Sequence, residues 1–253
     1  MSVQSIDRAF NIIELLSLEP QGLTMTEISK RLDLHKSTVH RLLSSMRNRG
    51  YIEQSHSAGK YRLGLGFIEL ASLYLNSLEL KIEAQPFLHH LTKLTGQTAF
   101  LAIRDGRDLV YIDKVETFDS LRRYKIIGRR RPLHATSLGK ALLSGLPDRE
   151  IEELYKDKPM EKLTDKTITS YDGLTREIEA IRDRGWAIDD EENEPGTHCV
   201  GAPIFDYRDR AIASLSIAWE ASVFPDLTWE AVAPDVVRCA RDVSIKMGNI
   251  RYK

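Results

Sequence analysis

Apolar residues recur at helical spacing in SIDRAFNIIELLSL (5–18), where Ile6, Phe10, Ile13 and Leu16 or Ser17 mark one stripe that closes at Pro20-Gln21-Gly22. This predicts a first helix. In LTMTEISKRL (23–32), Thr24-x-x-Glu27 forms a capping box: the hydroxyl takes the N3 amide and the carboxylate returns to the cap amide. A second helix of about two turns follows from it. Beyond a tight turn at Asp33-Leu34, a third helix from about His35 to Asn48 buries Val39, Leu42, Leu43 and Met46 and stops at Gly50. YIEQ and KYRLG then alternate around the turn-forming SHSAG, giving a two-stranded wing.

The next stretch, LGFIELASLYLNSLELKIEAQPFL (65–88), is a long helical pattern that should break at Pro86 and link two domains. QTAFLAIRDGRDLVYIDKVE (97–116) shows two β-branched and aromatic runs around Arg-Asp-Gly-Arg, a hairpin signal. CVGAPIFD (199–206) and AIASLSIAW (211–219) form a second hairpin. Helical patterns lie at 137–146, 148–155, 171–185 and from Trp229 to Lys246. Strands flanked by helices predict an α+β domain with an antiparallel sheet.

A chain of 253 residues, 42% hydrophobic and 29% charged, suits two domains with real cores. No apolar run reaches the roughly 20 residues of a membrane span, so no membrane partner is expected. MSVQSIDRAF lacks the basic and apolar regions of a secretion signal, which leaves the cytoplasm as the default. Cys199 and Cys239 have no CxxC spacing, which argues against a disulfide framework and a zinc ribbon. The net charge of −1 hides a segregation: residues 30–62 hold eight Lys/Arg against two acids, while the chain from residue 76 holds 27 Lys/Arg against 30 Asp/Glu. A basic module joined to a mildly acidic one is what two different partners require.

The first partner is legible in LHKSTVHRLLSSMRNRGYI (34–52), whose positions off the apolar stripe are mostly basic or hydroxylic. A short helix, a turn and a basic second helix make a helix-turn-helix, whose second helix enters the major groove of double-stranded DNA. Lys36 and Arg41 can donate to guanine, while Ser37, Thr38, His40 and Ser44 can contact bases or phosphates. Lys60 and Arg62 on the wing belong beside the phosphate backbone, where contacts supply salt-dependent affinity and set the register. A solvated basic face is the plain alternative, but the capped helix, the short turn, the apolar stripe and the wing coincide here.

These segments resemble the IclR family of bacterial transcriptional regulators, and the resemblance runs nearly end to end. It is carried by SVQSIDRAFNIIELL, by LTMTEISKRLDLHKSTVHRLLSSMRNRGYI, by the wing ending GKYRLG, and by PLHATSLGKALLS (132–144). The spaced set Asp189, Glu191, Gly196, Cys199, Ala202-Pro203-Ile204 and Asp206 completes it. The resemblance implies a winged helix over residues 1–66, a linker helix over 67–85 and a GAF-like α/β effector domain over 86–253. It also implies homodimers that pair into dimers of dimers. DKVETFDSLRRYKIIGRRRPLHATSLGK (113–140) is similar to the sugar-acid-responsive branch, which includes regulators of 2-keto-3-deoxygluconate use.

For a small organic acid, keto or sugar, the second half offers polar groups that a plain core does not need. Ser214 and Ser216 alternate on one face of an otherwise apolar strand, so both point the same way. Asp189 and Cys199 bracket a loop, and His134 to Gly139 leads into a helix whose free amides can hold a carboxylate. The family resemblance points to Ser137, Leu138, Gly139, Asp189, Cys199 and Ser216 as effector contacts; Ala218 stands where some relatives carry a second serine. Arg129-Arg130-Arg131 reads as an exposed surface turn, and the acidic run 189–194 as a solvated loop more readily than a cation site.

No cofactor, metal or catalytic set is expected. Two rival readings remain open at this level. One is an enzyme using Cys199, which needs an aligned base; His198 is adjacent, and neighbours on a strand face opposite ways. The other is an architectural DNA-binding protein whose second domain takes no ligand.

Overall fold

The computed structural model describes residues 3–55, 59–77, 79–116 and 126–251. The chain divides into two compact units, residues 1–77 and 78–253.

In the first unit, α1 (Gln4–Ser17), α2 (Met25–Arg31) and α3 (Lys36–Arg47) precede the strands β1 (Ile52–Gln54) and β2 (Tyr61–Leu63), and α4 (Gly66–Ser77) closes it. The capping box at the start of α2 is complete: Thr24 N–H donates to Glu27 Oε2 at 2.7 Å, and Glu27 N–H donates to Thr24 Oγ1 at 3.3 Å. Ile12, Leu16, Leu23, Ile28, Val39, Leu43, Met46, Ile52 and Tyr61 form the core. Leu42 packs at its margin. The stripe expected of α1 needs correction, because the helix is apolar on two sides. Ile12 and Leu16 turn inward, while Ile6 and Phe10 are 52% and 57% exposed. β1 and β2 pair antiparallel from Ile52↔Leu63 to Gln54↔Tyr61, and most of the SHSAG turn lies outside the described residues.

The second unit begins with α5 (Glu79–Thr95), which runs straight through Pro86 instead of breaking there. The proline denies a donor to the carbonyl of Ile82, but Ile82 lies on an exposed stretch of the helix, where solvent can take that carbonyl. After α5 come β3 (Thr98–Asp105), β4 (Asp108–Val115), β5 (Arg130–Pro132), α6 (Ser137–Ser144), α7 (Asp148–Tyr155) and α8 (Tyr171–Arg184). β6 (Ala187–Asp190), β7 (Thr197–Phe205), β8 (Ala211–Glu220) and α9 (Trp229–Lys246) complete the unit.

All neighbouring strands pair antiparallel in the order β5-β4-β3-β8-β7-β6. Both expected hairpins are present, and two edge strands were not foreseen: Arg130–Pro132, read as a surface turn, and Ala187–Asp190. Helices α5 and α9 cover one face of the sheet and α6 the other.

Two glycines let α6 seat this closely. A Cβ at Gly201 on β7 would stand 2.9 Å from the Ser137 carbonyl carbon, and one at Gly139 would stand 2.1 Å from the Leu133 carbonyl oxygen. Both obstacles are backbone and cannot rotate away. Gly201→Ala is therefore expected to lower stability by about 1–3 kcal/mol by forcing α6 off the sheet. Denaturant unfolding checks it, and a loss below about 0.5 kcal/mol, the range of an ordinary surface change, would show that α6 has slack.

Candidate functional site

In the first unit the turn between α2 and α3 is fixed by local bonds. Asp33 takes a left-handed backbone at φ 50. Leu34 N–H donates to the Ser29 carbonyl at 3.0 Å, and Ser29 Oγ donates to the Leu34 carbonyl at 2.6 Å. The turn aims the outer face of α3 at solvent: Lys36, Ser37, His40 and Arg41 are exposed, with Thr38 and Ser44 half-buried beside them. Lys36, His40 and Arg41 have no ion-pair partner among the described residues.

The other basic residues of this face are engaged within the unit. Arg47 donates to Gln54 Oε1 at 3.0 Å, tying α3 to the wing, and Arg49 donates to Ser45 Oγ at 2.9 Å. On the wing itself Arg62 is ion-paired across the strands with Glu53, while Lys60 is half-buried. A cluster of free donors on one helix face thus stands beside a wing whose own charge is partly neutralised.

In the second unit the sheet face under α6 carries a pocket lined by residues from both sheet and helix. The register explains the grouping: Asp189 opposes Cys199, Cys199 opposes Ala218, and in the next row Gly201 opposes Ser216, which opposes Phe100. Thr136, Ser137 and Leu138 close one side, and Tyr111, Ile126, Arg129 and Arg131 another. Asn193 and Glu194 come from the turn after β6, and Thr197 from the first position of β7. The cavity holds ≈ 40 Å³, against roughly 10–15 Å³ needed by one water.

Of the residues expected to hold an effector, Ser137, Leu138, Asp189, Cys199 and Ser216 line this pocket, and Ser214 and Gly139 do not. Ser214 shares the face of Ser216 but lies beneath α6, where its hydroxyl donates to the Leu138 carbonyl at 2.9 Å. Gly139 is needed for close packing, and its N–H donates to the Thr136 hydroxyl that caps α6. The tri-arginine stretch is split by strand alternation. Arg130 pairs with Asp105 at 2.5 Å and Asp108 at 3.4 Å, leaving Arg129 and Arg131 at the pocket.

Asp189 is the pocket's buried carboxyl. Burial, and then the neighbouring Glu192 charge, push its pKa up to about 7, against the lowering effect of Lys140 and of two backbone N–H donors. Those donors are Glu192 N–H at 2.7 Å and Asn193 N–H at 3.3 Å, both on Oδ1. Burial and the nearby Asp189 also hold the Cys199 thiol well above its usual range. A thiol so raised is a poor nucleophile. His198 lies on the other pleat, packed against Trp219 and Trp229 and 3.2 Å from Asp190.

Asp190, Glu191 and His198 bring one ligand atom each within 4.8 Å of one another. The Lys166 ammonium sits between the two carboxylates, at 3.0 Å and 2.7 Å, where a cation would sit.

Behind the pocket lies a buried ion cluster that sequence reading missed. Lys140 on α6 is 0% exposed and pairs with Glu192, and its Nζ is 4.0 Å from Glu177, which in turn accepts from Arg184 at 2.7 Å. The one signal in the sequence was a lysine inside the apolar run SLGKALL.

With this geometry in hand, comparisons with known proteins give a consistent result. The family model described as bacterial transcriptional regulator IclR C-terminal matches residues 72–245, and the IclR helix-turn-helix domain matches residues 5–56. The chain is 38% identical over 216 residues to the HTH-type transcriptional regulator XynR of Escherichia coli, covering 85% of this chain and 86% of that one. It is 34% identical over 251 residues to KdgR of the same organism, covering 99% and 95%. The crystal structure of the Thermotoga maritima IclR superposes with a TM-score of 0.82 at 31% identity, covering 97% of this chain and 99% of that one. The chain belongs to the IclR family of bacterial transcriptional regulators, with a helix-turn-helix DNA-binding domain followed by an effector-binding domain.

Proposed function

We propose that this regulator reads double-stranded operator DNA through Lys36, Ser37, Thr38, His40, Arg41 and Ser44 on α3, with Lys60 and Arg62 of the wing beside the phosphates. Its affinity is then set by a small organic acid in the pocket under α6. The observation that carries the first half is the free, exposed set Lys36, His40 and Arg41 on one helix face. For the second half it is the convergence of Arg129, Arg131 and a carboxyl with pKa about 7 on one cavity. With Asp189 neutral, Arg129, Arg131 and Glu194 leave the lining one positive charge in excess, which suits a monocarboxylate.

The acting unit is a homodimer in this reading. Support comes from the apolar side chains that the first unit leaves in solvent, Val3 just before α1, Ile6 and Phe10 on α1, and Ile68, Leu70 and Leu73 on α4. An acid that binds one arrangement of the subunits better than another shifts DNA affinity by the difference, and DNA shifts acid affinity equally.

The test is binding of the purified protein to its own upstream intergenic DNA at two salt concentrations, with and without a panel of keto acids and sugar acids. Sequence-specific binding altered by one compound supports both halves; weak, salt-sensitive binding indifferent to every acid favours the architectural reading. Arg41→Ala should weaken specific binding about 10- to 100-fold, the usual worth of a base-contacting arginine. Unchanged affinity would remove Arg41 from the interface.

A further inference from the structure

We infer that Tyr111 anchors the effector's carboxylate: its phenol O–H donates to an oxygen that Arg129 and Arg131 hold by charge, and the acid's second oxygen points towards Ser216. The inference rests on the effector reading above and goes one step further, to a further contact residue and to the way round the acid sits.

Tyr111 on β4 lines the pocket and is 8% exposed, yet its hydroxyl is neither paired nor sealed. No hydrogen bond reaches it among the described residues, and its oxygen keeps accessible surface, in contrast to the fully enclosed hydroxyl of Tyr155. The ring itself is fixed, meeting Phe100 of the same cavity edge to face at 5.7 Å. A phenol held by its ring, with an open O–H at a cavity, has a partner only when a ligand supplies one. Its surroundings locate it. Burial, and then the nearby Cys199 and Asp189, push its pKa up, while Arg131 and Arg129 pull it down. The phenol therefore stands in the field of four pocket groups and keeps its proton at neutral pH.

Strand pairing puts the cations beside it. Leu109 opposes Arg131, and Tyr111 N–H donates to the Arg129 carbonyl at 3.2 Å, so by alternation Tyr111, Arg129 and Arg131 share one face of the β4–β5 edge. Neither guanidinium has an ion-pair or hydrogen-bond partner among the described residues. Charge-assisted hydrogen bonds are roughly twice as strong as neutral ones, so this end favours a carboxylate over a keto or hydroxyl oxygen. The other end is different. Ser216 on β8 lies beyond Phe100 of β3, roughly 10 Å across the sheet from β4 at about 4.8 Å per strand. Its hydroxyl also has no hydrogen bond among the described residues, and that side of the pocket, with Ser137 and Asp189, brings no cation. Hydroxyls donate and accept, so they take a keto oxygen or a hydroxyl alike. Two of the first amides of α6, Gly139 and Lys140, already donate to Thr136.

The experiment is calorimetric titration of the full-length protein with acids that differ by the second oxygen: pyruvate and lactate against propionate, glyoxylate and glycolate against acetate. The weaker acids are measured by competition. Tyr111→Phe, which keeps the ring against Phe100, should lower the affinity of an oxygenated acid and its plain counterpart by the same factor, about tenfold, the usual worth of a hydrogen bond to a charged group. Arg131→Gln should act in the same way. Ser216→Ala should weaken only the oxygenated acid and bring the pair together. Without any acid, Tyr111→Phe should unfold at the same denaturant concentration as wild type or a higher one, because it deletes a hydroxyl that has no partner in the protein.

A lower unfolding midpoint would reveal an internal partner for the hydroxyl, and unchanged acid affinities in Tyr111→Phe would remove it from the site. A loss confined to the oxygenated acid would turn the ligand round, with its carboxylate on the free amides of α6. Each of these overturns the inference and leaves the effector reading standing. If no acid binds while specific DNA binding persists, the effector reading fails and the inference with it.

Discussion

Lys140→Met is expected to destabilise the second unit by about 3–5 kcal/mol, the cost of leaving one member of a buried ion pair without its partner. The methionine itself fits, being unbranched and close to lysine in length. What it removes is the ammonium facing Glu192, whose carboxyl is already held above the usual range by burial and whose Oε2 has no hydrogen-bond partner. All three tryptophans, Trp186, Trp219 and Trp229, lie in the second unit, so denaturant unfolding followed by their fluorescence reads that unit alone.

The double variant Lys140→Met with Glu192→Gln should recover most of the loss, because two neutral groups leave no charge to compensate. A double variant as unstable as the single one would show that lysine packing, not charge, was lost. The pair also matters to the pocket: Glu192 lends its N–H to Asp189, so the single variant should weaken acid binding as well.

How much of this could be read from sequence depended on how local each signal was. The helix-turn-helix was legible because Thr24 and Glu27 announce α2 within four residues and the apolar period of α3 needs no distant partner. α1 shows the limit of such reading. Its apolar residues form two stripes, and nothing in the periodicity says that Ile12 and Leu16 turn inward while Ile6 and Phe10 stay in solvent. RRP and AIDD were invisible as strands because three or four polar-rich residues at a sheet edge show no alternation; only pairing to β4 and β7 defines them.

The same holds for the pocket. Asp189, Cys199 and Ser216 stand out in the sequence, but Lys140 reads as a surface lysine until α6 is packed, and Asn193 reads as one more polar residue in an acidic turn. Ser214 illustrates the opposite error. Its face was read correctly, but its partner is the carbonyl of Leu138, 76 residues distant in sequence.

Asp189→Asn is expected to make the protein more stable above neutral pH, by about 2–4 kcal/mol for a shift of roughly three pKa units at 1.36 kcal/mol each. Asp189 has a native pKa of about 7 against an ordinary value of 3.8. Between those values the native state holds a proton that the unfolded chain has released, so stability falls as pH rises from about 4 to about 7 and is level beyond. Asparagine keeps the oxygen that accepts from Glu192 and Asn193 but never ionises, so the variant's stability should lack this slope. The two proteins should coincide near pH 4 and diverge as pH rises. Parallel curves, measured by chemical unfolding at intervals from pH 4 to pH 8, would refute the assignment.

The same titration bears on function. A wild-type pocket with Asp189 ionised opposes a carboxylate, so acid affinity should fall towards tenfold per pH unit above about 7, and the variant should remove that dependence. A natural carboxyl at this position therefore weakens both fold and anion binding at high pH. In the proposed function the neutral acid's O–H donates to the bound ligand, a role asparagine's N–H fills only in part. Affinity of the variant below pH 6 should accordingly be lower than wild type even as its stability above pH 7 is higher, and a variant equal to wild type in low-pH affinity would reduce Asp189 to a fold residue that happens to border the site.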